Sequence, residues 1–404
     1  MAGLAAPAPT SFQIAQRVAP PAMSAPGRPR VILQVVPALE IGGVERGTLD
    51  LAQAIAARGD VALVASAGGR MALELSELGA EHVTMPLDRK TPWALAANTV
   101  RLEALIAAHG VDLVHARSRF PAWSALWAAR RSGVPFVTTF HGTYGFRSEV
   151  KRRYNAVMAK GDRVIAISQF IAWHLRAHYD VAPDSLRVVP RGVDLRRFDP
   201  DNVHHERWMK LAARWNLPDG APVVLLPGRL TAWKGHGVLL AALARLQRPD
   251  IRCLFVGADQ GRTRYRRELE QAILDRGLGE TVSICDDCDD MPAAYMLADV
   301  VVSASTEPEA FGRVAGEAQA MGRPLVASNH GGIPEQVIPG ETAFLCAPGD
   351  PGDLAAGLDW ALSLGAEARA RLAEAGRARA ARSSKAAMTE GALAVYDELL
   401  VGDS

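Results

Sequence analysis

Short apolar runs recur along this chain with helical stretches between them, and the series occurs twice. The first opens at Val31–Val36 and continues through Val61–Ala65, His82–Met85, Leu113–His115, Phe136–Phe140, Val164–Ile167 and Leu186–Val189. The second opens at Val223–Pro227 and continues through Cys253–Val256, Val282–Ile284, Val300–Ser303 and Leu325–Ala327. Runs this short are buried strands, and strands alternating with helices make parallel βαβ units. The expected class is therefore α/β, with two Rossmann-like doubly wound domains facing a cleft, where the carboxyl ends of the strands receive a ligand. The Ala/Pro-rich residues 1–29 read as a disordered leader, 30–195 as the first domain, 196–221 as a linker and 222–385 as the second domain. Residues 386–404 read as a terminal helix able to pack back on the first domain.

Composition narrows the functions open to such a chain. No run of 18 apolar residues occurs in the 404, so no membrane-spanning helix is expected, and residues 1–30 lack the basic-then-apolar order of a signal peptide. Cys285 and Cys288 form a CxxC without a second pair or a His partner at zinc spacing, so Cys253, Cys285, Cys288 and Cys346 read as reduced cytoplasmic thiols and no metal site is expected. The net charge is only +1, yet residues 1–200 hold 24 basic and 16 acidic side chains against 21 and 28 in the remainder. A basic first half suits an anionic small ligand. Nucleic acid is not expected, because the basic residues show no aromatic interleaving. A nicotinamide oxidoreductase is excluded, since no G-x-G-x-x-G follows either opening strand.

The segment richest in chemistry runs from Ser303 to Gly322. It holds Glu309 and Glu317 eight residues apart, with Phe311-Gly312 between them. A helix is expected to start near Gly312 and stop at Gly322, which puts Glu309 in the preceding loop and Glu317 in the second turn. Free N–H groups at a helix start suit a diphosphate, and carboxylates accept hydrogen bonds from sugar hydroxyls. Alone, such a Glu pair is also what a capped amphipathic helix with solvated glutamates displays.

Several further pieces occur together: Gly42-Gly43-Val-Glu-Arg46, His115-Ala-Arg-Ser-Arg119, Phe140-His-Gly142, Pro190-Arg-Gly-Val-Asp194, Gly228-Arg-Leu-Thr-Ala-Trp-Lys-Gly235 and Gly331-Gly-Ile-Pro-Glu335. In this order and spacing the chain resembles the family 4 retaining glycosyltransferases, which have the GT-B fold, over about residues 31–385. The wording of its Arg-Ser-Arg and Phe-Gly-Arg-Val pieces resembles bacterial enzymes of lipopolysaccharide core synthesis, mannosyltransferases among them.

The resemblance implies roles. Arg229 and Lys234 would supply cations to the diphosphate of a nucleotide sugar, so that neither a cofactor nor a metal is required. Glu309 would hold the transferred sugar, Glu317 the ribose, and the N–H groups of Phe311, Gly312, Arg313 and Val314 the diphosphate. Gly257 would border the nucleotide, and the turn 285–292, with Met291, would face its base, although Asp286 stands where the family often has Gly. Gly43 resembles a loop beside the diphosphate, though a tight strand–helix turn reads equally well. His141 would lie near the transferring sugar, or serve as a structural histidine. Arg117 and Arg119 read either as grips for an acceptor phosphate or carboxylate or as internal partners of acids.

The partners implied are a nucleotide sugar and a glycan or lipid-linked acceptor. The basic stretch Arg147, Lys151, Arg152, Arg153 and Lys160 reads as a solvated helix face or as a peripheral contact with anionic membrane. A nucleotide-sugar epimerase of the same fold and a non-catalytic sugar-nucleotide binder are the competing functions.

Overall fold

The computed structural model describes residues 28–40, 42–145 and 148–400. Most of the expected leader, Arg147 and the end of the terminal segment lie outside the described residues. The first sheet contains β1 (Val31–Val35), β2 (Val61–Ser66), β3 (Glu81–Thr84), β4 (Leu113–Ala116), β5 (Phe136–Phe140), β6 (Arg163–Ala166) and β7 (Leu186–Val188). The second contains β8 (Val223–Pro227), β9 (Arg252–Val256), β10 (Val282–Cys285), β11 (Val300–Ser303), β12 (Leu325–Ser328) and β13 (Phe344–Cys346). The spatial orders are β3-β2-β1-β4-β5-β6-β7 and β10-β9-β8-β11-β12-β13, and the β1–β4 and β8–β11 pairs are parallel like their neighbours. Strand order reverses at β1/β4 and at β8/β11, so each domain opens a crevice outside the carboxyl ends of those strands.

Two features depart from the sequence expectation in detail. Residues 344–346, too short a run to stand out, add β13 at the sheet edge, paired with β12. The stretch 196–221 holds a helix, His205–Arg214, and places Phe198, Val203 and Leu211 in the second domain's core. Its Gly, Asp and Pro content hid the three apolar anchors.

Both faces of the first sheet are covered, as near-continuous apolar strands require. Val31, Leu33 and Val35 of β1 face one core and Ile32 the other. The second face is closed in part by the chain's last described helix, Lys385–Leu400, which brings Ala392, Val395 and Tyr396 against Leu49, Ile55 and Val64. The chain reaches that helix by crossing back beside its own outward crossing. Val193 N–H donates to Ser383 O at 2.8 Å, and Lys385 N–H donates to Val193 O at 2.8 Å. Two paired strands of chain thus form the connection between domains.

Tyr396 anchors the returning helix by a polar contact as well as an apolar one. Its hydroxyl lies 2.6 Å from His115 Nδ1, and His115 Nε2 lies 2.7 Å from Thr139 Oγ1, all buried. Burial, then the nearby Arg117, holds the His115 imidazole well below its ordinary range, so the ring is neutral with one donor and one acceptor. Tyr396→Phe strands one ring nitrogen and is expected to cost about 1–3 kcal/mol. Denaturant unfolding followed by circular dichroism measures the loss; an unchanged midpoint would show that the contact adds nothing.

Candidate active site

The expected site residues gather at the two crevices. β8 ends at Pro227, and Gly228 and Arg229 follow directly. Gly228 and Gly257 have φ of 153° and 152°, and a Cβ on Gly257 would stand 2.3 Å from Gly228 O. The loops after β8 and β9 touch backbone to backbone, which a larger residue at 257 would prevent. Arg229 is exposed, with Nη1 donating to Gln260 Oε1 at 3.4 Å.

Lys234 and Glu309 meet across the β8/β11 switch. Lys234 Nζ donates to Glu309 Oε1 at 2.7 Å, and Ser305 Oγ, just beyond β11, donates to the same oxygen at 2.5 Å. The side chains are 13% and 11% exposed, so the pair is shielded from water. Burial alone would raise the Glu309 carboxyl; the Lys234 ammonium and the two hydrogen bonds outweigh it and hold the group below the usual carboxylate range. Oε2 receives none of these bonds and can accept from a ligand hydroxyl.

The helix after Glu309 runs from Arg313 to Ala320, capped by Gly312 at φ 86°. Ala315 N–H donates to Gly312 O at 3.0 Å, whereas among the described residues the N–H groups of Arg313 and Val314 have no acceptor. Glu317 is 8% exposed and already accepts from Tyr295 OH at 2.9 Å and Arg313 Nη2 at 2.7 Å. It joins the site through Arg313 as much as by its own lone pairs.

The turn before Met291 is tied down by charge. Asp290 caps the Met291–Leu297 helix and pairs with Arg207 at 2.6 Å, and Asp286 pairs with Arg266 at 2.6 Å. Asp286 thus has a partner of its own in place of the family's Gly. Met291 is half-buried against the second core. Cys253, Cys285 and Cys346 are buried free thiols, raised by desolvation, and Cys288 is half-buried.

In the first domain the expected residues separate. Arg119 is committed internally, donating to Asn155 Oδ1 at 3.0 Å with its guanidinium 4.1 Å from the Tyr144 ring centre. Arg117 follows β4, is 5% exposed and has an unpaired Nε. His141 follows β5, and neither ring nitrogen has a partner. Burial, then the charges of Arg117 and Arg191, keeps its imidazole neutral. Gly43 opens the Gly43–Ala57 helix with Arg191 against it. Arg191 stands in the Pro190–Asp194 motif without a role assigned to it there; its position three residues past β7 was the available signal.

The domains touch through the site itself. Phe311 is buried in the first domain's core, Ser168 Oγ donates to Ala310 O at 2.6 Å, and Glu335 accepts from the N–H groups of Gln169 and Phe170 at 2.7 and 2.6 Å. Phe311 therefore acts by its side chain, beyond the backbone role expected of it.

Known proteins resemble this fold over most of the chain. The family described as Glycosyltransferase Family 4 matches residues 41–197, and Glycosyl transferases group 1 matches 210–379. A Salinispora tropica relative, named D-inositol 3-phosphate glycosyltransferase, is 33% identical over 335 residues, spanning 76% of this chain and 67% of its own. A glycosyltransferase structure from Rickettsia africae is 35% identical, covers 94% of this chain and all of its own, and superposes with a TM-score of 0.86. Anabaena HepE in complex with UDP is 26% identical, covers 91% of this chain and all of its own, and has a TM-score of 0.78. The fold and these matches define a glycosyltransferase of the two-domain GT-B type. The chain belongs to the family 4 glycosyltransferases.

Lys234→Met leaves the Glu309 carboxylate buried and unpaired, a change expected to cost about 3–5 kcal/mol at neutral pH. In the wild type a depressed carboxyl contributes stability that is present above its unfolded value, roughly 4.3, and is lost as pH falls through the folded value. In the variant burial acts without its counterion, so protonation relieves the strain. The gap in melting temperature between variant and wild type should narrow from pH 7 to pH 4; a constant gap would show that the pair is not what Lys234 supplies.

Proposed function

We propose that the protein transfers a hexosyl group from a nucleoside-diphosphate sugar to an acceptor hydroxyl with retention of anomeric configuration, and without a metal. The observation that carries this reading is the grouping of Lys234 and Glu309 at the β8/β11 crevice, beside a helix start whose Arg313 and Val314 N–H groups have no acceptor among the described residues. Arg229, Lys234 and those N–H groups stabilise the negative charge that grows on the departing diphosphate. Glu309 accepts from hydroxyls of the transferred sugar, and neutral His141 reaches it from the first domain. The bond from the anomeric carbon to the phosphate oxygen breaks, and the acceptor oxygen bonds to the same face. The acceptor's proton passes to the departing phosphate oxygen, so no enzymic nucleophile is needed. Closure of the domains excludes water and limits donor hydrolysis.

A uridine donor is supported by the UDP held in the Anabaena neighbour, and a phosphorylated polyol acceptor by the name shared among the inositol relatives. These relatives lend no support to the lipopolysaccharide-core or mannosyl reading, and a glycan or lipid-linked acceptor stands behind the polyol phosphate. Among the described residues no helix is long and apolar enough to cross a membrane. Arg152 and Arg153 both pair with Glu149, at 2.8 and 3.2 Å, which favours a solvated face over a membrane contact.

Proton NMR of the fresh product should give the anomeric configuration of the donor; inversion would refute the mechanism. Arg229 is exposed, so Arg229→Gln should fold normally and lower kcat about 100-fold. Full activity in that variant would remove Arg229 from leaving-group stabilisation.

A further inference from the structure

Two guanidiniums of the first domain, Arg117 and Arg191, approach the same helix turn. A Cβ placed on Gly47 would lie 3.0 Å from Arg117 Nη2 and 3.7 Å from Arg191 Nη2, and one on Gly43 would lie 2.7 Å from Arg191 Nη2. Both cations thus converge on the first turns of the Gly43–Ala57 helix, whose glycines leave them room. Among the described residues neither side chain makes a hydrogen bond or an ion pair. Arg117 is 95% buried by its 5% exposure, and its Nε is unpartnered. Both arginines line a narrow pocket with His141, walled by Leu51, Ile165 and Val189.

Unpaired like charges in such a place are costly and call for an anion. The surrounding groups do not supply one. Asp50 is taken by Lys385 at 2.8 Å, Glu45 lies on the helix's first turn beyond ion-pair distance, and Arg313, which also faces Arg191, is held by Glu317. His115 is neutral and bonded to Tyr396 and Thr139. Desolvation, then the charges of Arg313 and Arg117, lower the proton affinity of Arg191, and desolvation that of Arg117, yet both remain charged at neutral pH.

We propose that Arg117 and Arg191 form an anion subsite that grips a phosphoryl or carboxylate group of the acceptor. Each guanidinium can donate two parallel N–H bonds to such a group. The cations expected at the diphosphate, Arg229 and Lys234, belong to the second domain, whereas these two arginines belong to the first. An acceptor held at β4 and β7 by its anionic group would present a hydroxyl toward Glu309 and His141. The proposal rests on the sugar-transfer reading for its role, and it makes a charged acceptor a requirement rather than a preference.

The test is calorimetric titration of inorganic phosphate into the protein already saturated with UDP or GDP, whichever the wild type binds. The same titration is run on the Arg117→Met/Arg191→Met double variant and on the double Lys variant. The Met variant should bind phosphate at least tenfold more weakly and the nucleotide within twofold of wild type. In phosphate-free buffer it should melt at a higher temperature than wild type, because two unpaired charges are gone; phosphate should raise the melting temperature of the wild type alone. The Lys variant keeps the charges and should retain part of the phosphate affinity. Equal phosphate affinity in wild type and Met variant, or a loss confined to nucleotide affinity, overturns the proposal. A wild type that binds phosphate through these arginines yet binds neither nucleotide upholds the subsite and overturns the transfer reading.

Discussion

Everything at the cleft depends on how the loop Glu309-Ala310-Phe311-Gly312 is held. Its first residue is fixed by Lys234 and Ser305, its second gives a carbonyl to Ser168 of the other domain, and its third buries a ring in that domain's core. Gly312 then turns the chain into the Arg313–Ala320 helix. One four-residue loop therefore sets the position of a carboxylate, a helix start and the interdomain contact together. A carboxylate aimed at a sugar and N–H groups aimed at a phosphate act well only when their mutual geometry is fixed in advance. Glu335 strengthens this by capping a first-domain helix from the second domain. Burial raises its carboxyl, which the two N–H donors partly offset.

Charge is distributed across the cleft in a consistent way. The second domain pairs its ions, the shielded Lys234 with Glu309 and the exposed Arg313 with buried Glu317, so each cation can be redirected to a ligand. Among the described residues the first domain gives Arg117 and Arg191 no ion-pair partner. Unpaired buried charge is the pattern expected where a ligand, not the fold, completes the electrostatics.

Much of this was legible in the sequence. Short apolar runs in two series announced two parallel sheets, and every described strand but β13 lies within a residue or two of those runs. The reversal points at β1/β4 and β8/β11 follow from sheet order, which a list of runs does not contain. Arg229, Lys234 and Glu309 were readable because their motif fixes them near strand ends. Arg119 and Arg117 were indistinguishable in sequence, two residues apart, because only the fold decides that one stacks on Tyr144 while the other is buried without a partner. Arg191 and the side chain of Phe311 escaped notice for the same reason: Gly43 and Gly47 beside the one, and the first-domain core around the other, lie more than a hundred residues away. The segment 196–221 read as a linker because its three core residues are spaced too widely to show a period.

The central claim is that the β8/β11 crevice holds a diphosphate between Arg229, Lys234 and the helix start at Arg313. A crystal structure of the protein grown with UDP measures this directly. The expected result is phosphate oxygens within about 3.2 Å of the Lys234 ammonium, the Arg229 guanidinium and the Val314 N–H. A diphosphate bound away from these groups, or one contacting only the first domain, would contradict it.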